Sequence, residues 1–436
     1  MAQTQKPQIV VLGTCDTKLD ETLFLREQIV KDGTAQVLLL DVGRTPVQNG
    51  LIDVSSEEVI AHKCSTAGAA ELSSMSRAEY IKYMIGCAIP YVAELFQKGQ
   101  VHGIVAAGGS SGTSLATAVM REAFPVGVPK LMVSTMASGD VRPYIEETDI
   151  TLMYSVVDIA GTNSMLNQIL SNAAGAILGA TTAYYHNLHS SRSHDADRPA
   201  KKRVGMTMFG VTTPCVDAIR SHLESKHDCE VYVFHATGAG GRAMERLIRE
   251  RRLDAVLDMT TTEIADELVG GVLSAGPDRL TAAAQAGIPQ IISVGACDMV
   301  NFGPRDTVPP KFALQEHNRL LYEHNPAITL MRTTPDECTR IADFIASRLC
   351  DHAVRPDLIR VLLPVGGISM IATPSQPFHD AEADQALFGR LKRRLAGSGI
   401  EVQEDERDIN DSGFAVAAAE SLLELIKRSD KLQSLQ

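Results

Sequence analysis

Short runs of β-branched and other apolar residues alternate along the chain with longer stretches whose apolar positions recur at helical spacing. The runs are too continuous for half-exposed strands and too short for helices, so they read as strands of a parallel sheet covered on both faces. Strands are predicted at Gln8 to Leu12, Val37 to Leu40, Gly103 to Ala107, Lys130 to Ser134 and Ile150 to Tyr154, each followed by a helix-length segment. From residue 187 the sequence NLHSSRSHDADRPAKKR is polar, charged and Pro-containing, which reads as an exposed linker. A second series then predicts strands at Val204 to Phe209, Glu230 to Phe234, Ala255 to Met259, Gln290 to Val294, Ile328 to Met331, Ile359 to Leu363 and Ile400 to Gln403, closed by a helix from Gly413 to Ile426. The expected division is a Rossmann-like domain at 1–186, a linker at 187–203, and a second Rossmann-like α/β domain with a C-terminal extension at 204–436.

The two series read as one pattern used twice. VVLGTCDTKLDETLFLREQI at 10–29 is echoed by MTMFGVTTPCVDAIRSHL at 206–223, VLLLD ending at Asp41 by VYVFH ending at His235, and GVPKLMVS at 127–134 by GIPQIISV at 287–294. The tetrapeptide ITLM occurs at 150–153 and again at 328–331, and a segment of about 44–99 is extra to the first half. A real repeat implies two similar domains facing each other across a cleft, with ligands at the carboxyl ends of the strands. The alternative is the general likeness of any two parallel α/β units.

Composition narrows the partners. A net charge of -12 without a Lys/Arg-rich block gives no reason to expect nucleic acid or an anionic membrane, and no run is long enough to span one. The eight cysteines are scattered without a C-x-x-C pair, which suggests reduced thiols and a cytoplasmic setting rather than a disulfide framework.

Three loops in the first half carry the chemistry. Gly13, Thr14, Asp16, Thr17 and Lys18 follow the first strand, where a glycine turn, hydroxyls and a cation suit a phosphate; a capped turn is the plainer reading. Gly108, Gly109, Ser110, Ser111, Gly112 and Thr113 lie between a strand and a helix. They suit a backbone cradle for phosphate, or a G-x-S-x-G elbow with Ser110 as the nucleophile of a serine hydrolase, or a bare turn. Thr135, Ser138, Gly139 and Asp140 follow the fourth strand, with Asp140 a candidate magnesium ligand, and Asp41 ends the second strand, where a carboxylate takes ribose hydroxyls. In the second half His235, Glu263, Asp298 and Arg305 follow successive strands and could supply acid–base chemistry or hold a small acidic metabolite, while Cys297 reads as a small buried residue.

Taken together, GTCDTK, GGSSGT, STMASGD with RPYI, TTTE, NFGPR, HNPAITLMRTT and the LPVGGIS to PFHD region resemble, in order and over nearly the whole chain, the ATP-binding-domain family of the tomato mosaic virus resistance protein and its bacterial relatives. That resemblance implies an ATP-binding two-domain protein and a homodimer. The plant member's fused barrel would here have to come from a separate polypeptide. Enzyme of small-acid metabolism and non-catalytic nucleotide-responsive binder both remain open.

Overall fold

The computed structural model describes residues 6–63, 69–194, 201–314 and 318–433. It separates into two compact units, Met1–Arg198 and Pro199–Gln436.

Unit 1 runs β1 (Gln8–Gly13), α1 (Cys15–Val30), β2 (Gln36–Asp41), α2 (Ser56–Lys63), α3 (Ala69–Ser74), α4 (Arg77–Gln97), β3 (Gly103–Gly108), α5 (Ser110–Ala123), β4 (Lys130–Ser134), α6 (Arg142–Ile145), β5 (Thr151–Tyr154) and α7 (Ser164–His194). Its strands form one parallel sheet in the order β2-β1-β3-β4-β5. Successive residues of a strand point to opposite faces, and both faces are buried here. Ile9, Val11, Val105 and Leu131 pack with residues of α1 and α7, while Val10, Leu12, Ile104 and Met132 pack with residues of α4 and α5. Double burial is why these strands are uniformly apolar in sequence.

Unit 2 contains β6 (Lys202–Met208), α8 (Thr213–Lys226), β7 (Cys229–His235), α9 (Ala239–Arg249), β8 (Ala255–Thr260), α10 (Thr262–Val269), α11 (Thr281–Ala286), β9 (Gln290–Gly295), β10 (Met299–Phe302), α12 (Pro310–Ala313), β11 (Leu321–Asn325), β12 (Ile328–Arg332), α13 (Pro335–His352), β13 (Ile359–Pro364), α14 (Ala381–Leu395), β14 (Glu401–Asp405) and α15 (Ser412–Gln433). Its main sheet, β14-β13-β9-β8-β6-β7, is parallel and repeats the strand order of unit 1 with one strand added. A separate antiparallel sheet, β10-β12-β11, stands beside it.

Three expectations need correction. The second ITLM is not the fifth strand of the repeat: it falls in β12, centre of the antiparallel sheet, and the strand placed like β5 is β13. The span 187–203 is not wholly a linker, since α7 continues to His194 and β6 begins at Lys202; residues 195–200 lie outside the described residues. Cys87 is disulfide-bonded rather than reduced. Cys15, Cys215, Cys229, Cys297, Cys338 and Cys350 are free thiols, and Cys64 lies outside the described residues. Among the described residues no helix is long and apolar enough to cross a membrane.

Candidate functional site

In a sheet ordered 2-1-3-4-5 the chain leaves β1 and β3 in opposite directions, which opens a crevice above their carboxyl ends. Unit 1 has a cavity of about 610 Å³ there, within the range of small-molecule sites. The loop after β1 supplies Thr14, Asp16, Thr17 and Lys18, and the turn after β3 supplies Gly108, Gly109, Ser110, Ser111 and Gly112. Thr135 enters from the loop after β4, Gly43 and Arg44 from the loop after β2, and Arg77, Tyr80 and Ile81 from α4. Asp158 and Ile159 complete it from the loop after β5.

Two helices begin at this cavity, α1 after Thr14 and α5 after Gly109, and neither of these N-cap residues makes a side-chain cap. The first N–H groups of a helix have no carbonyl ahead of them, so those of Ser110, Ser111 and Gly112 depend on whatever lies in the cavity. At α1, Cys15 N–H donates to Asp41 Oδ1 at 2.9 Å, while Thr17 and Lys18 N–H both donate to the Thr14 carbonyl. The helix is then broken at Lys18, whose backbone leaves helical geometry (φ -135°, ψ 34°). Three cations line the cavity in a chain of net charge -12. Lys18 and Arg77 form no ion pair among the described residues, and Arg44 lies over the Tyr80 ring, 5.0 Å from its centroid, while donating to the Ser76 carbonyl.

The glycines of the α5 turn separate by what a side chain would meet. A Cβ on Gly108 would press on Gly112 at 3.2 Å, so packing alone explains it. A Cβ on Gly109 would meet nothing closer than Thr135 Oγ1 at 3.8 Å, one on Gly112 nothing within 4 Å, and Gly109 has an ordinary negative φ. Neither sterics nor backbone demands glycine at these two positions, yet both border the cavity. The glycine-rich turn after β7 in unit 2 is the contrast. A Cβ on Gly240 would strike the His235 carbonyl at 1.8 Å and one on Gly241 the Glu263 carboxylate at 2.0 Å.

Other residues singled out in the sequence hold the frame. Gly13 gives room to Thr22, which a Cβ would meet at 2.7 Å. Asp41 is fully buried, not open to a ribose: Oδ1 accepts from Cys15 N–H and Gly43 N–H (2.8 Å), and burial raises its pKa. Burial, then the neighbouring Asp41, pushes the Cys15 thiol up, which leaves it protonated and a poor nucleophile. Asp16 fixes the β2 loop by accepting from Arg44 N–H at 2.9 Å and Thr45 N–H at 3.2 Å. Thr113 is buried and bonded to Ser134 Oγ at 2.6 Å, tying the α5 turn to β4. Ser138 and Gly139 are exposed and outside the cavity lining.

Asp140, expected as a magnesium ligand, lies outside the cavity lining and is paired with Arg142. Both its oxygens are held by Arg142, at 2.9 Å from Nε and 2.7 Å from Nη2, and those bonds lower its pKa to about 2. The carboxylates that do border the cavity are Asp16, held by the Arg44 and Thr45 N–H groups, and Asp158. Sequence reading missed Asp158, although its place after β5 follows the same strand-end rule. Among the described residues no histidine of unit 1 lines the cavity beside Ser110. His62 pairs with Glu94 at 2.8 Å, His102 accepts from Gln8 N–H, and neither these nor His186 and His189 line the cavity.

Unit 2 does not gather its candidates. Glu263 is buried against Arg279 (Nε to Oε2, 2.8 Å), which also binds Asp258 and reaches Glu245. Asp298 is buried elsewhere, accepting from Ser369 Oγ at 2.8 Å while its Oδ1 has no partner, and burial raises its pKa to about 6. His235, with its ring 5.6 Å from that of Phe209, and Arg305 are exposed. At the corresponding strand ends of unit 2 the threonine hydroxyls are bonded within the protein. Thr212 and Thr260 hydroxyls meet at 2.7 Å, Thr207 donates to Asp258 at 2.8 Å, and all three threonines are fully buried.

The Uncharacterised protein family (UPF0261) N-terminal domain matches residues 7–186 and the corresponding C-terminal domain matches 201–426. The chain belongs to the UPF0261 family. A UPF0261 protein of Clostridium tetani is 41% identical over 97% of this chain and 99% of its own length. The ToMV resistance protein Tm-1(GCR237) of Solanum lycopersicum is 38% identical over 98% of this chain, which spans 57% of that protein. Among solved structures, a UDP-N-acetylglucosamine 2-epimerase is 11% identical over 66% of this chain and 79% of its own, with a TM-score of 0.19. MurG of Acinetobacter baumannii is 11% identical over 98% and 99%, with a TM-score of 0.21. UPF0261 membership thus spans both units, and superpositions this loose carry no argument about function.

Proposed function

We propose that this UPF0261 protein is a nucleotide-binding protein that takes ATP in the cavity of unit 1. The observation that carries the reading is the uncapped start of α5 at this cavity, beside two glycines that packing does not require. Backbone N–H groups at helix starts favour phosphate whatever the net charge, because they carry the positive end of the helix dipole. Lys18 and Arg77 add charge, Thr14, Thr17, Ser110, Ser111 and Thr135 add hydroxyls, and Tyr80 with Ile81 offers an apolar wall to a base. Asp158, which borders the cavity, would hold magnesium through water. The scatter of His235, Glu263, Asp298 and Arg305 gives no support to a catalytic constellation in unit 2, so the reading is a binder that responds to nucleotide.

The test is a thermal shift with and without ATP and magnesium. Ligand at 100 times its dissociation constant should add about 2.7 kcal/mol to stability. Gly109→Val should fold normally, since its backbone is extended and its Cβ has room, and should lose the shift because the isopropyl group occupies the phosphate position. A folded Gly109→Val protein with unchanged response would reduce the turn to a structural feature.

A further inference from the structure

We propose that unit 2 carries a zinc-class metal site formed by His222, His227 and Glu420, separate from the nucleotide cavity. His222 lies in α8 and Glu420 in α15, and the two helices are fixed side by side by Cys215, Ile219 and Leu223 against Ala415, Ala419 and Leu422. His227 is the residue that ends α8. Its N–H donates to the Leu223 carbonyl at 3.1 Å, its backbone turns extended, and its ring returns to 5.4 Å from that of His222.

One carboxylate oxygen is shared by both imidazoles. Glu420 Oε1 is 2.6 Å from His222 Nε2 and 3.6 Å from His227 Nε2, and one ligand atom from each of the three residues lies within 4.8 Å of the others. Bonds of about 2.0–2.1 Å to a tetrahedral ion place ligand atoms about 3.4 Å apart. Glu420 is half exposed, so it can swing off His222 to admit an ion while the buried His222 stays in place. The ligand types select the metal: two imidazoles and a carboxylate suit zinc, cobalt, nickel or copper rather than magnesium or calcium. The position helps too, because the C-terminal end of a helix favours a cation; Lys427, the other charge facing Glu420, opposes it.

A simple ion pair would need His222 and Glu420 alone. It leaves unexplained why the chain returns a second imidazole to the same oxygen. With a metal bound, the proton between His222 and Glu420 is released, both imidazoles are neutral, and the end of α8 is clamped to α15. Three protein ligands leave one position for water.

The experiment uses the full chain without a histidine tag, stripped with chelator and titrated with zinc and, for its spectrum, cobalt. The expected result is one equivalent of zinc bound at neutral pH, with release of protons on binding. His227→Ala and Glu420→Gln alter groups that are 31% and 51% exposed and should leave the fold intact. Each should cost more than the roughly 10–100-fold that loss of an outer-shell partner causes. Cys350→Ser removes an exposed free thiol and should change nothing. Absence of zinc binding in the wild type overturns the site, as does zinc binding that survives both ligand substitutions or is lost with Cys350.

Discussion

Ser110 is the residue at which the phosphate and nucleophile readings diverge. It is exposed at the first position of α5, and among the described residues no histidine of unit 1 lines the cavity beside it. Replacing it with alanine should weaken ATP binding by about 1.5–3 kcal/mol, the worth of a hydrogen bond to a charged group, as measured by calorimetric titration. Covalent labelling of Ser110 by a fluorophosphonate would point instead to a hydrolase. Asp298 offers a test through pH. Its folded pKa, about 6, lies above its ordinary 3.8, so the stability it contributes is complete below about pH 3.8 and is lost as pH rises through about 6. Asp298→Asn has no such loss, so its stability relative to wild type should rise between pH 4 and 8 by on the order of 3 kcal/mol in denaturant titrations. An unchanged difference across that range would mean Asp298 is ionised throughout. At this scale the sequence shows which residues are polar and near strand ends, but not which are already spoken for. Asp140 and Glu263 looked free until Arg142 and Arg279 were seen to hold them, and both arginines were unremarkable in the sequence.

Elements were more legible, because double burial writes itself into uninterrupted apolar runs. The central strands β1, β3, β4, β8, β9 and β13 lie where such runs occur, while the edge strands β5, β7 and β14 are partly exposed. β10 and β11 were missed for the opposite reason: β10 has four residues, and β11, LYEHN, is largely exposed and carries no alternation to reveal it. The helix α4 links this scale to the site. Ser76 and Glu79 form a reciprocal cap at its start, and its first turns bring Arg77, Tyr80 and Ile81 to the cavity. Ser76→Ala should lower stability by about 1 kcal/mol in thermal or denaturant melts, the usual worth of an N-cap side chain. ATP affinity should fall by much less than with Gly109→Val, because the backbone donors of α5 are untouched.

At the scale of the whole chain, the duplicated strand order was readable from the echoed segments, yet one echo misled. ITLM suits a strand in any sheet, and a short apolar run does not say which neighbours it pairs with. Hydrogen exchange can separate the two units. With saturating ATP and magnesium, protection should increase around 14–18, 43–44, 80–81, 108–112 and 135, with the strands of unit 2 unchanged. Protection gained chiefly in unit 2 would place the nucleotide elsewhere.

Thr207, Thr212 and Thr260 of unit 2 bond their hydroxyls to Asp258 and to one another, whereas unit 1 offers an opening at its strand ends. If unit 1 binds nucleotide as proposed, its stability becomes a variable, set by how much ligand its surroundings contain. A change in metabolite concentration therefore alters the balance between the two halves of one chain without any change in the chain itself. When ligand is scarce, unit 1 should be the half that opens first to a protease.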